Sequence, residues 1–281
     1  MDIIGISNVL ICPACKRKIS HTRQGFECTA CKVTYQIQDG KINFLPNFKV
    51  SEKDALNKLK NLGKKFPTIY GLLAEVIAPL YISKKNIRKI INEINKKSLA
   101  GLNIGSGITN YSKNVVNFDL QPFKNVNVVG DLFQLPFEDS SFDYVFSIYV
   151  LEHIPDPKRA IDEMYRVLKP GGICYCIIPF IQGFHAAPND YIRLTTKGVE
   201  SNFKNFEILT NNGVGPTSAL LWIFQEWLAI ILSFNSKWLH LIIHTGILFI
   251  TFPIKYIDLI LSKSKLSKNI ACVNEVIAKK L

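Results

Sequence analysis

The sequence predicts an α/β protein, an open and doubly wound parallel sheet with a small attachment at each end. Three observations carry this. Short apolar runs that end in glycine or an acid alternate with segments of helical periodicity from Leu99 to Thr210. The first run closes on Asn103-Ile104-Gly105-Ser106-Gly107, where glycine lets the chain turn sharply and a ligand approach the backbone. At 281 residues the chain is long enough for one α/β domain with a full core. Strands that alternate with helices imply a sheet covered on both faces.

Residues 1–48 form the first unit. Cys12-Pro-Ala-Cys15 and Cys28-Thr-Ala-Cys31 are two C-x-x-C turns that each aim two thiolates at one point, and together they complete a tetrahedral zinc shell. Four protein thiolates leave no open position for water, so the zinc is expected to be structural. The competing reading, a disulfide pair, suits an oxidising compartment, whereas no secretory signal is read at the N-terminus. The other three of the seven cysteines, Cys174, Cys176 and Cys272, sit singly in apolar runs and read as core. Residues 49–97 are rich in Lys and Asn with helical spacing broken at Pro67 and Pro79. They predict a helical linker whose Ile87, Ile90, Ile91 and Ile94 pack on the sheet.

The core unit spans 98–215. After the glycine turn, Val115-Val116-Asn117-Phe118 ends in Asp119, an acid placed to accept hydrogen bonds from two ribose hydroxyls. About eleven residues separate Gly107 from Asp119, too few for a full helix plus a strand, so the first helix is expected to shrink to about one turn. Val126 to Val129 predicts a third strand, followed by Gly130-Asp131, and Ser141 to Ser147 a fourth. A helix follows over Asp156 to Leu168, with Ala160, Ile161, Met164, Val167 and Leu168 on one face. Lys169-Pro170-Gly171-Gly172 reads as a turn into a fifth strand, Ile173 to Ile178, and Phe206 to Thr210 as a sixth.

The runs L-N-I-G-S-G, F-D, G-D-L-F-Q-L-P-F-E-D-S-S-F-D, V-L-E-H-I-P-D-P and R-V-L-K-P-G-G, in this order over Leu99 to Pro179, resemble the class I S-adenosylmethionine-dependent methyltransferases of the type 11 group. The resemblance implies a Rossmann-like seven-stranded methyltransferase sheet and S-adenosylmethionine as cofactor. It also implies a site in which Asn103, Gly105, Ser106 and Gly107 hold the methionine part, Asp119 the ribose, and Asp131 and Leu132 flank adenine. Leu120 and Tyr149 complete the cofactor-binding set. Asn103 departs from the pattern, which commonly has an acid there; the amide still hydrogen-bonds but brings no charge. The two knuckles with the run from Tyr35 to Leu45 resemble the zinc-ribbon module found as a methyltransferase activator subunit or fused ahead of methyltransferases.

In open α/β sheets ligands sit outside the carboxyl ends of the strands, so the loops after the fourth and fifth strands should face the reacting group. The first holds Glu152 and His153. The second is F-H-A-A-P-N-D-Y-I-R-L-T, with His185, Asp190, Tyr191 and Arg193. It resembles the H-x-x-P-x-D-Y-x-R-x-T loop of methyltransferase-like proteins associated with cell-surface polysaccharide or lipid-linked sugar pathways. Methyl transfer from a sulfonium needs an aligned nucleophile and, for a hydroxyl, removal of its proton. An imidazole with an ordinary pKa of ~6.5 suits that task, which makes His185 the first candidate base and His153 the second. Asp190, Tyr191 and Arg193 are candidate catalytic partners, and Glu152 with His153 serves equally well as support for the loop.

From Ala219 to Leu261 the chain is unusually apolar, within an insertion expected over 216–265. A last strand, Ile270 to Lys280 within 266–281, has to return to the sheet beside the sixth, so a single membrane crossing between them would put it on the wrong side. Gln225 and Glu226 are costly at mid-bilayer. Two interfacial helices anchored by Trp222, Trp227 and Trp238 with flanking Lys satisfy both demands better than a pair of spans, and a buried helical cap or dimer interface is the alternative.

The net charge of +12 fits an anionic membrane surface or nucleic acid, although a chain this rich in Lys, Asn and Ile owes part of it to codon bias. The reading is a methyltransferase at the cytoplasmic side of the membrane, with structural zinc, acting on a lipid-linked, glycan or other amphipathic acceptor. Two alternatives stand beside it: a ribosomal RNA methyltransferase with the ribbon as RNA-binding module, and a non-catalytic scaffold that kept the fold.

Overall fold

A computed structural model describes residues 3–22, 25–45, 84–184 and 189–281. The linker expected over 49–97 is therefore seen only at its end. There Lys85–Lys97 forms helix α1, with Ile90 and Ile94 buried and Ile87 and Ile91 half-buried against the sheet, as the isoleucine spacing predicts.

Among the described residues, eleven strands make one mixed sheet: β1 (Ser20–Thr22), β2 (Gly25–Cys28), β3 (Val33–Gln38), β4 (Lys41–Asn43), β5 (Gly101–Ile104), β6 (Val115–Asp119), β7 (Val128–Val129), β8 (Phe142–Ile148), β9 (Leu168–Pro179), β10 (Phe206–Val214) and β11 (Val273–Lys280). Their spatial order is β1-β2-β3-β4-β7-β6-β5-β8-β9-β11-β10. The seven strands from β7 to β10 follow the expected doubly wound core. Its last strand, β11, runs antiparallel between β9 and β10, as the tail argument requires.

The ribbon continues this sheet. Strand β4 lies parallel to β7 with Ile42 opposite Val128 and Asn43 opposite Val129, and Phe44 N–H donates to Val129 O at 2.9 Å. A second backbone seam joins Ile11 N–H to Pro136 O and Glu138 N–H to Val9 O. Ile6, Leu10, Phe26, Tyr35, Ile42 and Phe44 share one buried cluster with Leu102, Val116, Phe118 and Phe137. The module thus has little core of its own and borrows that of its neighbour.

Helix α2 (Pro157–Val167) is capped by Asp156, whose side chain accepts from Arg159 N–H at 3.1 Å, with proline at the first position. Its Ala160, Ile161, Met164 and Val167 are buried. Two sequence expectations are corrected here. Lys169 to Gly172 is not a turn between elements but a bulge inside β9, where the register with β8 jumps between the pairs Phe142–Leu168 and Tyr144–Ile173. Lys169 Nζ reaches Asp143 at 2.9 Å and closes the bulge. Between Gly107 and β6 not even one helical turn forms; turns alone bridge the gap.

After helix α3 (Thr196–Asn202) and β10, the insertion folds as an antiparallel pair, α4 (Pro216–Leu232) and α5 (Lys237–Thr251), followed by 3-10 turns and the short α6 (Asp258–Leu261). No side chain of its own caps α4. Buried Asp258 does so from across the insertion, accepting from Thr217 N–H and Ser218 N–H at 2.8 Å each and from Ser218 Oγ at 2.6 Å. Gln225 and Glu226, costly in lipid, turn into the seam between the helices: Gln225 Nε2 donates to Thr251 Oγ1 at 2.6 Å, and Glu226 faces His240 and His244 at 3.1 and 3.6 Å. The outer faces stay apolar and exposed, with Trp227 at 57% and Trp238 at 77%. The helical run Lys237–Leu261 is long and apolar enough to cross a membrane by length and composition, and only 6% of its apolar 18-residue stretch is buried.

Candidate functional site

The carboxyl ends of β5, β6 and β8 converge on the glycine loop. Gly105 has φ +63° and a Cβ there would lie 2.3 Å from Val150 Cγ2, so the loop following β8 already fills that space. Gly107 also has positive φ, +53°, yet a Cβ on it would meet nothing within 4 Å. The open side of the loop is thus at Gly107. Asp119, at the tip of β6, ties this loop to the next: its Oδ2 accepts from Gly107 N–H at 2.8 Å and its Oδ1 from Gln121 N–H at 2.9 Å. Each oxygen keeps a lone pair for a further donor. Burial raises the Asp119 carboxyl above its usual range, while backbone donors at Gln121, Gly107 and Leu120 act against the shift.

Two buried hydroxyls in this corner, Ser106 Oγ and Ser147 Oγ, have no hydrogen-bond partner among the described residues. Ser147 stands beside Ile104 in register at the end of β8. It was not singled out from the sequence, although a lone serine in the apolar run Tyr144 to Ile148 is a usable signal. Orphaned hydroxyls are costly when buried, and a polar ligand in the loop would satisfy them. With the uncovered face at Gly107 and the spare acceptors on Asp119, they fit the amino-acid and ribose ends of S-adenosylmethionine.

Other expected cofactor residues are placed less directly. Asn103 Nδ2 donates to Asn117 Oδ1 at 3.1 Å inside the sheet, and Asn117 in turn reaches Asn125 O and Asn127 Oδ1. That amide is spent on joining strands. Asp131 accepts from Phe133 N–H at 2.9 Å and caps a 3-10 turn, Leu132 is half-buried against the core, and Leu120 is exposed. Tyr149 adopts φ +57° directly after β8, with its phenol pushed far up by burial and hence protonated.

The 3-10 turn Leu151–His153 carries Glu152 and His153. The Glu152 side chain is fully buried, and burial pushes its carboxyl up to about 7, with Asp190 adding to the shift and Arg193 opposing it. His153 Nε2 lies 3.8 Å from Glu152 Oε1, and its Nδ1 meets Asn189 O at 2.5 Å. Tyr191 N–H donates to Glu152 O at 2.8 Å. These bonds bring the two candidate loops together. Asp190 and Arg193 form an ion pair, and Arg193 also donates to Gly183 O at 3.0 Å, so both fasten the loop; the Tyr191 side chain is half exposed. His185 lies outside the described residues.

Helix α4 reaches this loop as well. A Cβ at Gly183 would lie 2.7 Å from Trp222 Nε1, so only glycine allows the indole to sit against the chain there.

Residues 97–176 match the family described as "Methyltransferase domain". Demethylmenaquinone methyltransferase of Staphylococcus haemolyticus is 44% identical over 71 residues, which cover 24% of this chain and 30% of that protein. The enzyme of the same name from Listeria welshimeri is 45% identical over 73 residues, 25% of this chain and 31% of that one. The chain thus spans under a third of the length of the curated relatives it matches. Among solved structures, the SpnF cyclase aligns over 78% of this chain and 94% of its own, with 18% identity and a TM-score of 0.44, too low a likeness to carry an argument.

The four cysteine sulfurs of the ribbon all lie within 4.8 Å of one another, with Cys12 and Cys31 at 3.8 Å and Cys15 and Cys28 at 3.5 Å. A tetrahedral zinc with Zn–S bonds of ~2.3 Å separates its sulfurs by ~3.8 Å. The donor set fits a closed structural site, and at these separations the thiols are not disulfides.

Proposed function

We propose that this chain, which carries a methyltransferase domain over residues 97–176, transfers a methyl group from S-adenosylmethionine to a lipid-like or otherwise amphipathic acceptor at a membrane surface. The observation that carries the cofactor is the glycine loop itself: open at Gly107, bridged by Asp119 and lined by the unsatisfied hydroxyls of Ser106 and Ser147. When bound, the cofactor supplies an electrophilic methyl on a sulfonium. The residues of the chain do the rest. Asp119 accepts from the ribose, and the left-handed turn at Tyr149 steers the chain towards Glu152 and His153. Glu152 stays partly neutral near pH 7 beside the His153 ring, whose Nδ1 is held by Asn189 O of the loop after β9. His153 and His185 remain the candidate acceptors of a proton from a hydroxyl nucleophile.

Support for an amphipathic acceptor comes from Trp222, which joins the exposed apolar hairpin to the acceptor loop at Gly183. The two relatives quoted bear the name of a quinone-type substrate, which agrees with an apolar acceptor. Calorimetry with S-adenosylmethionine tests the cofactor. Asp119→Ala is expected to weaken binding by ~1–3 kcal/mol, the range for unpaired polar groups in a buried site. Absence of binding in the unaltered protein would turn the reading to a scaffold. A turnover loss of ~10²-fold or more in His185→Ala or His153→Ala, at unchanged cofactor affinity, identifies the base.

A further inference from the structure

A recess of about 840 Å³ opens where the carboxyl end of β10 meets the start of α1 and the segment after α6. It lies three strand spacings from β8, ~14 Å along the sheet, and so is separate from the glycine loop. Lys85, Lys263, Lys265 and Lys268 line it. The side chains of Lys263, Lys265 and Lys268 are exposed, and none of these three pairs with a carboxylate among the described residues. Its two acids are engaged elsewhere: Asp258 caps α4, and Glu275 accepts from Tyr175 Oη at 2.8 Å and Asn86 Nδ2 at 3.0 Å. Ser262 Oγ accepts from Gly215 N–H and Ser264 Oγ from Leu266 N–H, which leaves both hydroxyl protons to donate. Cations and hydroxyl donors around acids already satisfied make a site for an oxyanion.

The wall of this recess is also apolar. Leu259 and Ile260 line it with 49% and 73% of their surface exposed. Outside the lining, exposed Leu266 and Ile270 lie close in the chain to the lysines, and Ile254 and Ile257 continue the exposed aliphatic surface before α6. Exposed aliphatic chains beside lysines suit an amphiphile, whereas a nucleic-acid strand would call for aromatic stacking platforms. We infer that the recess holds the phosphate of an anionic phospholipid, whose acyl chains run along the aliphatic surface of residues 254–261. The inference rests on the membrane-surface part of the proposed function and deepens it with a headgroup chemistry.

The test is co-sedimentation of the full chain with phosphatidylcholine vesicles, with and without phosphatidylglycerol, compared with the triple variant K263Q/K265Q/K268Q. The unaltered protein should favour the anionic vesicles, with a preference that weakens as salt is raised. The variant should lose at least about ten-fold in affinity for them. Its binding to pure phosphatidylcholine should stay unchanged, as should its affinity for S-adenosylmethionine, which shows that the fold is intact. Equal binding of both proteins to anionic vesicles overturns the inference. So does tight, lysine-dependent binding of inorganic phosphate or glycerol phosphate without any vesicle preference, because the site would then serve a soluble phosphate. Failure of cofactor binding in the unaltered protein would remove the methyltransferase reading while leaving the vesicle result to stand by itself.

Discussion

The two edges of the central sheet carry attachments of opposite kinds. At the β7 edge the ribbon adds four strands, hands its Leu10, Phe26, Ile42 and Phe44 to the common core, and hides the open edge of the sheet. At the β10 edge the insertion is closed on itself by a polar latch, Asp258 on Thr217 and Ser218, and leaves Trp227, Ile230, Trp238 and Ile250 outward. Apolar content alone does not decide what a segment does. The ribbon, modest in apolar residues, buries nearly all it has, whereas the insertion keeps most of its apolar surface for something else.

The largest effect that would sharpen this contrast is expected at the metal. Freshly purified, reduced protein should carry about one zinc per chain, and Cys28→Ser should release the ribbon and uncover the β7 edge, at a cost comparable to the ~5–15 kcal/mol that holds a typical domain together. Metal analysis without zinc would break the comparison at its first term. The latch comes next. Asp258→Ala leaves two backbone donors and a hydroxyl without their acceptor and should lower stability by about 3 kcal/mol in denaturant unfolding; an unchanged midpoint would mean that α4 is capped by other means.

Between the two edges, Glu152 gives a pH signature. Its carboxyl, at about 7 against an ordinary 4.5, holds a proton more tightly in the folded than in the unfolded chain. Its contribution to stability is therefore full below about pH 4.5 and is lost as the pH rises through about 7. Glu152→Gln should abolish this slope and be favoured over the acid by roughly 2–3 kcal/mol at pH 9; parallel pH profiles for the two proteins would show that the site is better solvated than its burial implies. The smallest effect belongs to the outer face. Replacing Trp227 and Trp238 together with Ser should release part of the protein from the membrane fraction, by a factor of several, with no change in cofactor affinity. A monodisperse dimer recovered without detergent would show instead that these faces pack on protein.

Much of the core was legible because its signals are local. The glycine turn, the acid ending β6 and the alternation of strands and helices each need only a few neighbouring residues. The return of β11 beside β10 followed from topology. The pairing of β4 with β7 was not legible, since β7 has two residues and its partner lies 86 positions earlier in the chain. Asp258 could not be read as the cap of α4 because forty residues separate them, and the cost assigned to Glu226 changed once His240 and His244 stood opposite it. At the candidate site, the position of Asp119 at the tip of a strand was readable. The engagement of Asn103 with Asn117, and the orphaned hydroxyl of Ser147, depend on cross-strand register that spacing alone does not reveal.

One consequence lies in the register of the last two strands. Val214 and Val273 stand directly opposite each other, so the chain leaves the sheet and re-enters it at adjacent points. Everything between them is, topologically, the loop of a single β-hairpin, and the seven-stranded core has the same connectivity with or without it. Loop-closure entropy grows only slowly with length, which makes such a detour tolerable to the fold and equally easy to cut short. A chain in which a tight turn replaces 216–270 is expected to keep cofactor binding and to lose vesicle binding, separating the cofactor site from the membrane address in one deletion.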